Sequence, residues 1–236
     1  MGCLSGKELS MANGIMETSP QPRINLQPIA GPSILGLYGL AAATFMAAAY
    51  LCRWYGGSMT PLYLFPFAAM FGGLAQFLAG MWAFRARDAV ATAVHGMWGS
   101  FWIAFGVLAI VMSMFRIPRP TGAWPEMGYW FIVLAAITWA CVAAAAAENK
   151  GMLTTLVFLA LGSTAAAIAG FFPAEWLTIL TGYLFMVASF AAWYTASALM
   201  LHEVFGRDVW GIGRSRIPTP SVSLGVGEPG VVKGQA

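Results

Sequence analysis

Apolar residues run along this chain in six blocks, each close to the ~20 residues an α-helix needs to cross a bilayer core. The blocks cover about 33–52, 61–84, 89–115, 128–147, 152–172 and 176–202. Asp, Glu, Lys and Arg are confined to the short gaps between them and to the two ends. Pro32 stands at the N-terminal edge of the first block, where a missing N–H costs a helix nothing. Residues 1–30 carry Gly, Ser, Asn and Pro without apolar periodicity and read as a disordered tail. Residues 31–203 hold the six predicted spans, and 204–236 read as a second, flexible polar tail.

Composition narrows the class. Hydrophobic residues make up 59% of the chain and charged residues 9%, against about 25% charged in soluble domains. So little charge cannot clothe a water-soluble globule, and the chain reads as an all-α integral membrane protein. The net charge of +3 is too small to suggest a nucleic-acid surface. Its distribution is informative instead. With six spans both tails share one side, and that side collects Lys7, Arg23, Arg85, Arg87, Lys150, Arg207, Arg214, Arg216 and Lys233. The other side has Arg53, Arg116 and Arg119. The excess places both tails in the cytoplasm. Cys3, Cys52 and Cys141 show no ligand spacing and read as free thiols. The first twenty residues contain no apolar run of the secretory kind.

The spans carry few polar groups, and these recur at helical spacing. Gly72, Gln76 and Gly80 fall every four residues, on one face of the second helix. His95, Trp98, Gly99 and Trp102 follow at i, i+3, i+4 and i+7 on the third. No Asp, Glu, Lys or Arg lies at the middle of any span, so the acid or base that a membrane proton relay needs could come only from His95 or His202, and His202 lies at the cytoplasmic end. His95 is either a paired structural histidine or a group on a path. Gln76, an uncharged amide with donors and an acceptor, suits either a helix–helix hydrogen bond or weak, releasable binding along a conduction path. Small residues at Gly36, Gly39, Gly96 and Gly99 permit close helix packing.

Enzyme motifs are missing: no HExxH, no GxSxG, no Walker loop. Ser163 and Thr164 have no base near them in sequence, and bonding back to their own helix explains them. The sequence predicts no metal site and no cofactor.

FGGLAQFLAGMW at 71–82 followed by HGMWGSFW at 95–102 closely resembles the acetate uptake transporter family of small monocarboxylate carriers and channels. Before its first helix that family reads Asn-Pro-Ala-Pro-Leu-Gly. Here Pro32, Leu35 and Gly36 match this pattern, while the Asn and the second Pro are absent. Phe205-Gly206-Arg207 and Gly211-Ile212-Gly213 match its terminal elements. The resemblance covers roughly 30–214. It implies a six-helix bundle, assembled as a homohexamer in the plasma membrane, that passes acetate and similar monocarboxylates, succinate among them. It places Gln76, with His95, Gly72 and Gly80 around it, along the permeation path. The family's hydrophobic constriction, a Phe, a Tyr and a Leu, falls by motif on Leu40, Trp98 and Leu161, so two of its three residue types differ here. The implied partners are a small carboxylate and membrane lipid. Three other readings stay open: a membrane-embedded enzyme, a non-transporting membrane organiser, and a carrier of ammonium or another small neutral solute.

Overall fold

The computed structural model describes residues 30–120 and 122–213. Six helices fill it: α1 Pro32–Leu51, α2 Thr60–Ala86, α3 Ala89–Met114, α4 Pro125–Ala145, α5 Lys150–Phe171 and α6 Glu175–Phe205. All six are long and apolar enough to cross a membrane, as the sequence predicts. The chain is a multi-pass integral membrane protein.

Local chemistry sets the ends. Prolines occupy the first turn of α1, α2 and α4, where no intrahelical N–H is lost. Asp88 caps α3 by accepting from the Ala91 amide at 2.8 Å, and Asn149 caps α5 through the Met152 amide at 2.8 Å. Gly206, at φ 64°, terminates α6 in the left-handed conformation. Within α2, Pro66 removes a backbone donor, and one turn later residues Ala69–Ala75 widen into a π-helical segment. Such widening appears where a helix must absorb a lost or displaced bond.

Each helix packs on its neighbours in sequence, and α6 closes back onto α1, so the six form a ring. The start of α1 meets the end of α6, where the Gly31 amide donates to Glu203 at 2.7 Å. This end, which also bears Arg85, Arg87 and Lys150, is called the near end below. The ring is pinched where α1 also reaches α3. Aromatic and aliphatic side chains such as Tyr63, Phe67, Met114 and Phe190 stay exposed around the outside, as lipid or a neighbouring protomer requires.

The polar tail expected from residue 204 starts later. After α6 the chain folds back, and the carbonyls of Ile212 and Gly213 accept from the amides of Gly151 and Lys150 at 3.1 and 2.9 Å. These are first-turn donors of α5 that its own helix cannot satisfy. Ile212 is buried, Trp210 stacks on Tyr194 at 5.4 Å, and the Tyr194 hydroxyl donates to Gly211 at 3.0 Å. The tail expected over 1–30 lies, but for its last residue, outside the described residues, as does 214–236.

Candidate functional site

Gln76 and His95 are both fully buried. Gln76 follows directly on the π-helical segment, and the Gln76 amide nitrogen lies 3.4 Å from His95 Nδ1. An amide nitrogen only donates, so Nδ1 accepts and the ring proton sits on Nε2. At that length the bond is weak. The Gln76 carbonyl oxygen and His95 Nε2 have no protein partner. The His95 ring lies against α1, where a Cβ on Gly36 would come within 2.6 Å of it. Gly80 lets α2 meet α3 backbone to backbone, since a Cβ there would be 2.7 Å from the Gly96 nitrogen. The pair thus sits in the junction of α1, α2 and α3 and does not line the cavity that opens beyond Trp98.

Leu40 and Trp98 come next toward the far end. They share a depth because α1 and α3 both start at the near end, and both are buried. The Trp98 indole bridges the ring. Its N–H donates to Thr138 of α4 at 3.1 Å, and Thr138 in turn donates to the Leu134 carbonyl. The indole also meets Phe101 and, across on α6, Phe185 edge-to-face at 5.6 and 6.2 Å. Gly162 of α5 leaves room for Phe185. Leu161 does not join them. It is 37% exposed on the outside of α5, whereas Leu156, Leu159 and Ser163 face inward. Residues two apart on a helix point to different faces, so the inward leucine at that level is Leu159. The aromatic that completes the floor, Phe185, carries no motif in the sequence. Its spacing from Thr178 and Thr181 on α6 is the signal that could have found it.

Above this floor a cavity of about 250 Å³ opens toward the far end. Phe65, Phe101, Phe105 and Phe131 form much of its wall, with Trp98 and Phe185 at its base. Thr44 and Trp102 line it one helical turn above Leu40 and Trp98. The indole of Trp102 rests where a Cβ on Gly72 would be, which gives that glycine its place. Arg119, from the α3–α4 connection, also lines the cavity, its guanidinium 5.2 Å from the Phe65 ring centre. Burial lowers its pKa from the ordinary value, but a guanidinium remains charged. At the same end Arg53 lies 3.8 Å from Glu175.

Pro32, Leu35 and Gly36 open α1. Gly36 seats His95, while Leu35 is exposed. Ser163 and Thr164, the two hydroxyls weighed as enzyme nucleophiles, donate to the Leu159 and Ala160 carbonyls, each at 2.8 Å. Cys52 and Cys141 are buried and free. In the loop between α4 and α5, burial and then the nearby Asp88 raise the Glu148 carboxyl to about 7.

The profile of the GPR1/FUN34/yaaH family matches residues 14–205. Two curated relatives come from Saccharomyces cerevisiae. Ammonia transport outward protein 2 is 25% identical over 72% of this chain and 61% of its own length. Accumulation of dyads protein 2 is 26% identical over 72% of this chain and 60% of its own length. The chain therefore spans about three fifths of the length of these relatives. Among solved structures, the bacterial acetate channel SatP shares the fold with a TM-score of 0.70 at 19% identity, covering 79% of this chain and 100% of that one.

Proposed function

Because the chain belongs to the GPR1/FUN34/yaaH family, we propose that it conducts acetate and similar short monocarboxylates across the plasma membrane, through the interior of each protomer. The observation that carries this reading is the cavity itself. A ring of six helices encloses an aromatic-walled vestibule that ends on Trp98 and Phe185, which belong to one buried apolar cluster with Leu40 and Leu159. An apolar constriction excludes water and hydrated ions by dewetting, while a small acid with an apolar tail can follow the wall. The fold shared with an acetate channel supports the reading. The near end is the cytoplasmic one on this reading, and the exposed apolar faces fit a homo-oligomer, a hexamer by the resemblance described above. Gln76 and His95 act from the α1–α2–α3 junction by fixing the position of α3 and with it the floor.

The name of one yeast relative favours a second reading, export of ammonia. One experiment separates the two. Purified protein in liposomes is tested for uptake of labelled acetate and, in parallel, for ammonium-driven change of lumenal pH, each against protein-free liposomes. Acetate uptake above background supports the carboxylate reading. Ammonium-dependent change without acetate uptake replaces it.

A further inference from the structure

Most buried hydroxyls among the described residues bond to their own helix, and two lack a partner: Ser33, in the first turn of α1, and Thr44, in the vestibule. Thr138, Thr155, Ser163, Thr181 and Thr195 each donate to the carbonyl one turn earlier in their own helix. Thr44 lines the vestibule, is 2% exposed, and its hydroxyl has no partner. The two tryptophans of α3 show the same contrast. Trp98 has its N–H satisfied by Thr138. Trp102, 5% exposed and one turn further toward the far end, has an N–H without a partner. A buried donor left unsatisfied is destabilising, and two of them line one cavity.

The third group is Arg119. It lines the same cavity, lies over the Phe65 ring and has no carboxylate partner among the described residues. Phe65 and Trp102 belong to one packed cluster, which puts the guanidinium and the Trp102 indole on one wall, and Thr44 lines the same cavity. A permanent cation and two neutral donors, with no facing acid, form the complement of an oxyanion. Carboxylates accept several hydrogen bonds, and charge-assisted ones are the strong class.

We propose that Arg119, Trp102 and Thr44 form a carboxylate-binding subsite in the far-end vestibule. It holds the headgroup of a short monocarboxylate and turns the alkyl tail toward the phenylalanine wall and the Trp98 floor. The subsite rests on the monocarboxylate reading above and deepens it. It concentrates the anion one turn before the constriction, and its charge disfavours ammonium at the same place. The arrangement selects by headgroup in the vestibule and by tail size at the floor.

The test uses the full-length protein in detergent and in liposomes. Acetate binding is titrated calorimetrically for wild type, Arg119→Gln, Arg119→Lys, Trp102→Phe and Thr44→Val, with acetamide as the neutral isostere. Each variant is first checked for an unchanged elution volume and melting temperature. Arg119→Gln should weaken acetate binding about tenfold or more, the size of one charge-assisted bond. Arg119→Lys should retain part of it, and Trp102→Phe, which keeps a ring and loses the N–H, should cost several-fold. Acetamide should bind weakly to the wild type and be indifferent to Arg119→Gln. Equal acetate affinity in wild type and Arg119→Gln overturns the subsite, as does acetamide binding as tightly as acetate. The transport reading fails separately. If wild-type liposomes move no acetate while binding still depends on Arg119, the subsite stands and the channel function falls.

Discussion

Replacing Trp98 with alanine tests the floor directly. Trp98 is the largest fully buried side chain among the described residues, and its indole links α3 to α4 through Thr138 and to α6 through Phe185. In a sealed core a Trp→Ala change costs about 3–5 kcal/mol because a void remains. Here the vacated space is continuous with a vestibule of about 250 Å³, so the change widens a passage as well as loosening a core. An apolar fit that refuses one extra methylene is worth about 1–3 kcal/mol, or roughly 10- to 200-fold. Butyrate exceeds acetate in length by more than one methylene. Removing the indole should recover at least the lower end, raising the butyrate-to-acetate flux ratio about tenfold. Trp98→Phe is the companion variant. It keeps a ring at the floor, loses only the bond to Thr138, and should leave the ratio within about twofold while costing about 0.5–1.5 kcal/mol of stability. The assay is uptake of each labelled acid into proteoliposomes at neutral pH, with protein-free liposomes subtracted and folding checked by thermal melting. A folded Trp98→Ala protein with an unchanged ratio would show that the substrate does not pass Trp98.

Other expectations follow from the same geometry. Leu159→Ala should shift the flux ratio in the same direction as Trp98→Ala, while Leu161→Ala, on the outside of α5, should not; the same uptake assay decides. Gly80→Val should lower the melting temperature in detergent markedly, because even a Cβ there meets the Gly96 backbone and backbone cannot step aside. Gly36→Ala should displace the His95 ring, read as a shift of the histidine resonances in NMR, and reduce acetate flux several-fold. Glu148 should make stability depend on pH. Its folded carboxyl is raised from 4.5 to about 7, so the fold prefers the protonated form, and stability falls as pH rises through that interval. Glu148→Gln should therefore flatten the melting temperature between pH 5 and 8 and stabilise the protein at the upper end.

The spans were legible because nothing but transmembrane helix explains apolar blocks of that length separated by prolines, Asp88 and Asn149. The α2–α3 contact was legible for a related reason: Gly80 and Gly99 mark where one backbone meets another, and Gly72, two turns before Gly80, marks where the Trp102 indole is seated. Facing was not legible where a helix is apolar on every side. In α5 Leu156, Leu159 and Leu161 look alike, and only packing shows that the third faces out. Motif alignment puts the third constriction residue on Leu161, a side chain that the packing of α5 turns outward. Arg119 was legible as a charge in a loop, but not as part of a vestibule wall, since its position depends on where Phe65 of a distant helix stands. The return of residues 206–213 was hidden by composition: a Gly-rich stretch reads as tail until Ile212 and Trp210 are seen to have partners.

The ring order of the helices has a consequence for biosynthesis. Neighbours in space are neighbours in sequence for five of the six principal contacts, and the sixth joins α1 to α6. As the chain emerges, each helix can lie down beside the one before it, but the circle stays open until the last helix arrives. Through that interval the part of α1 that Gly182 of α6 will cover, at Ala48 and Cys52, stands open. Closure from both ends of the chain at once makes the finished ring an all-or-none event. A chain halted after α5 is then an arc rather than a smaller ring, with one unmatched edge on α1.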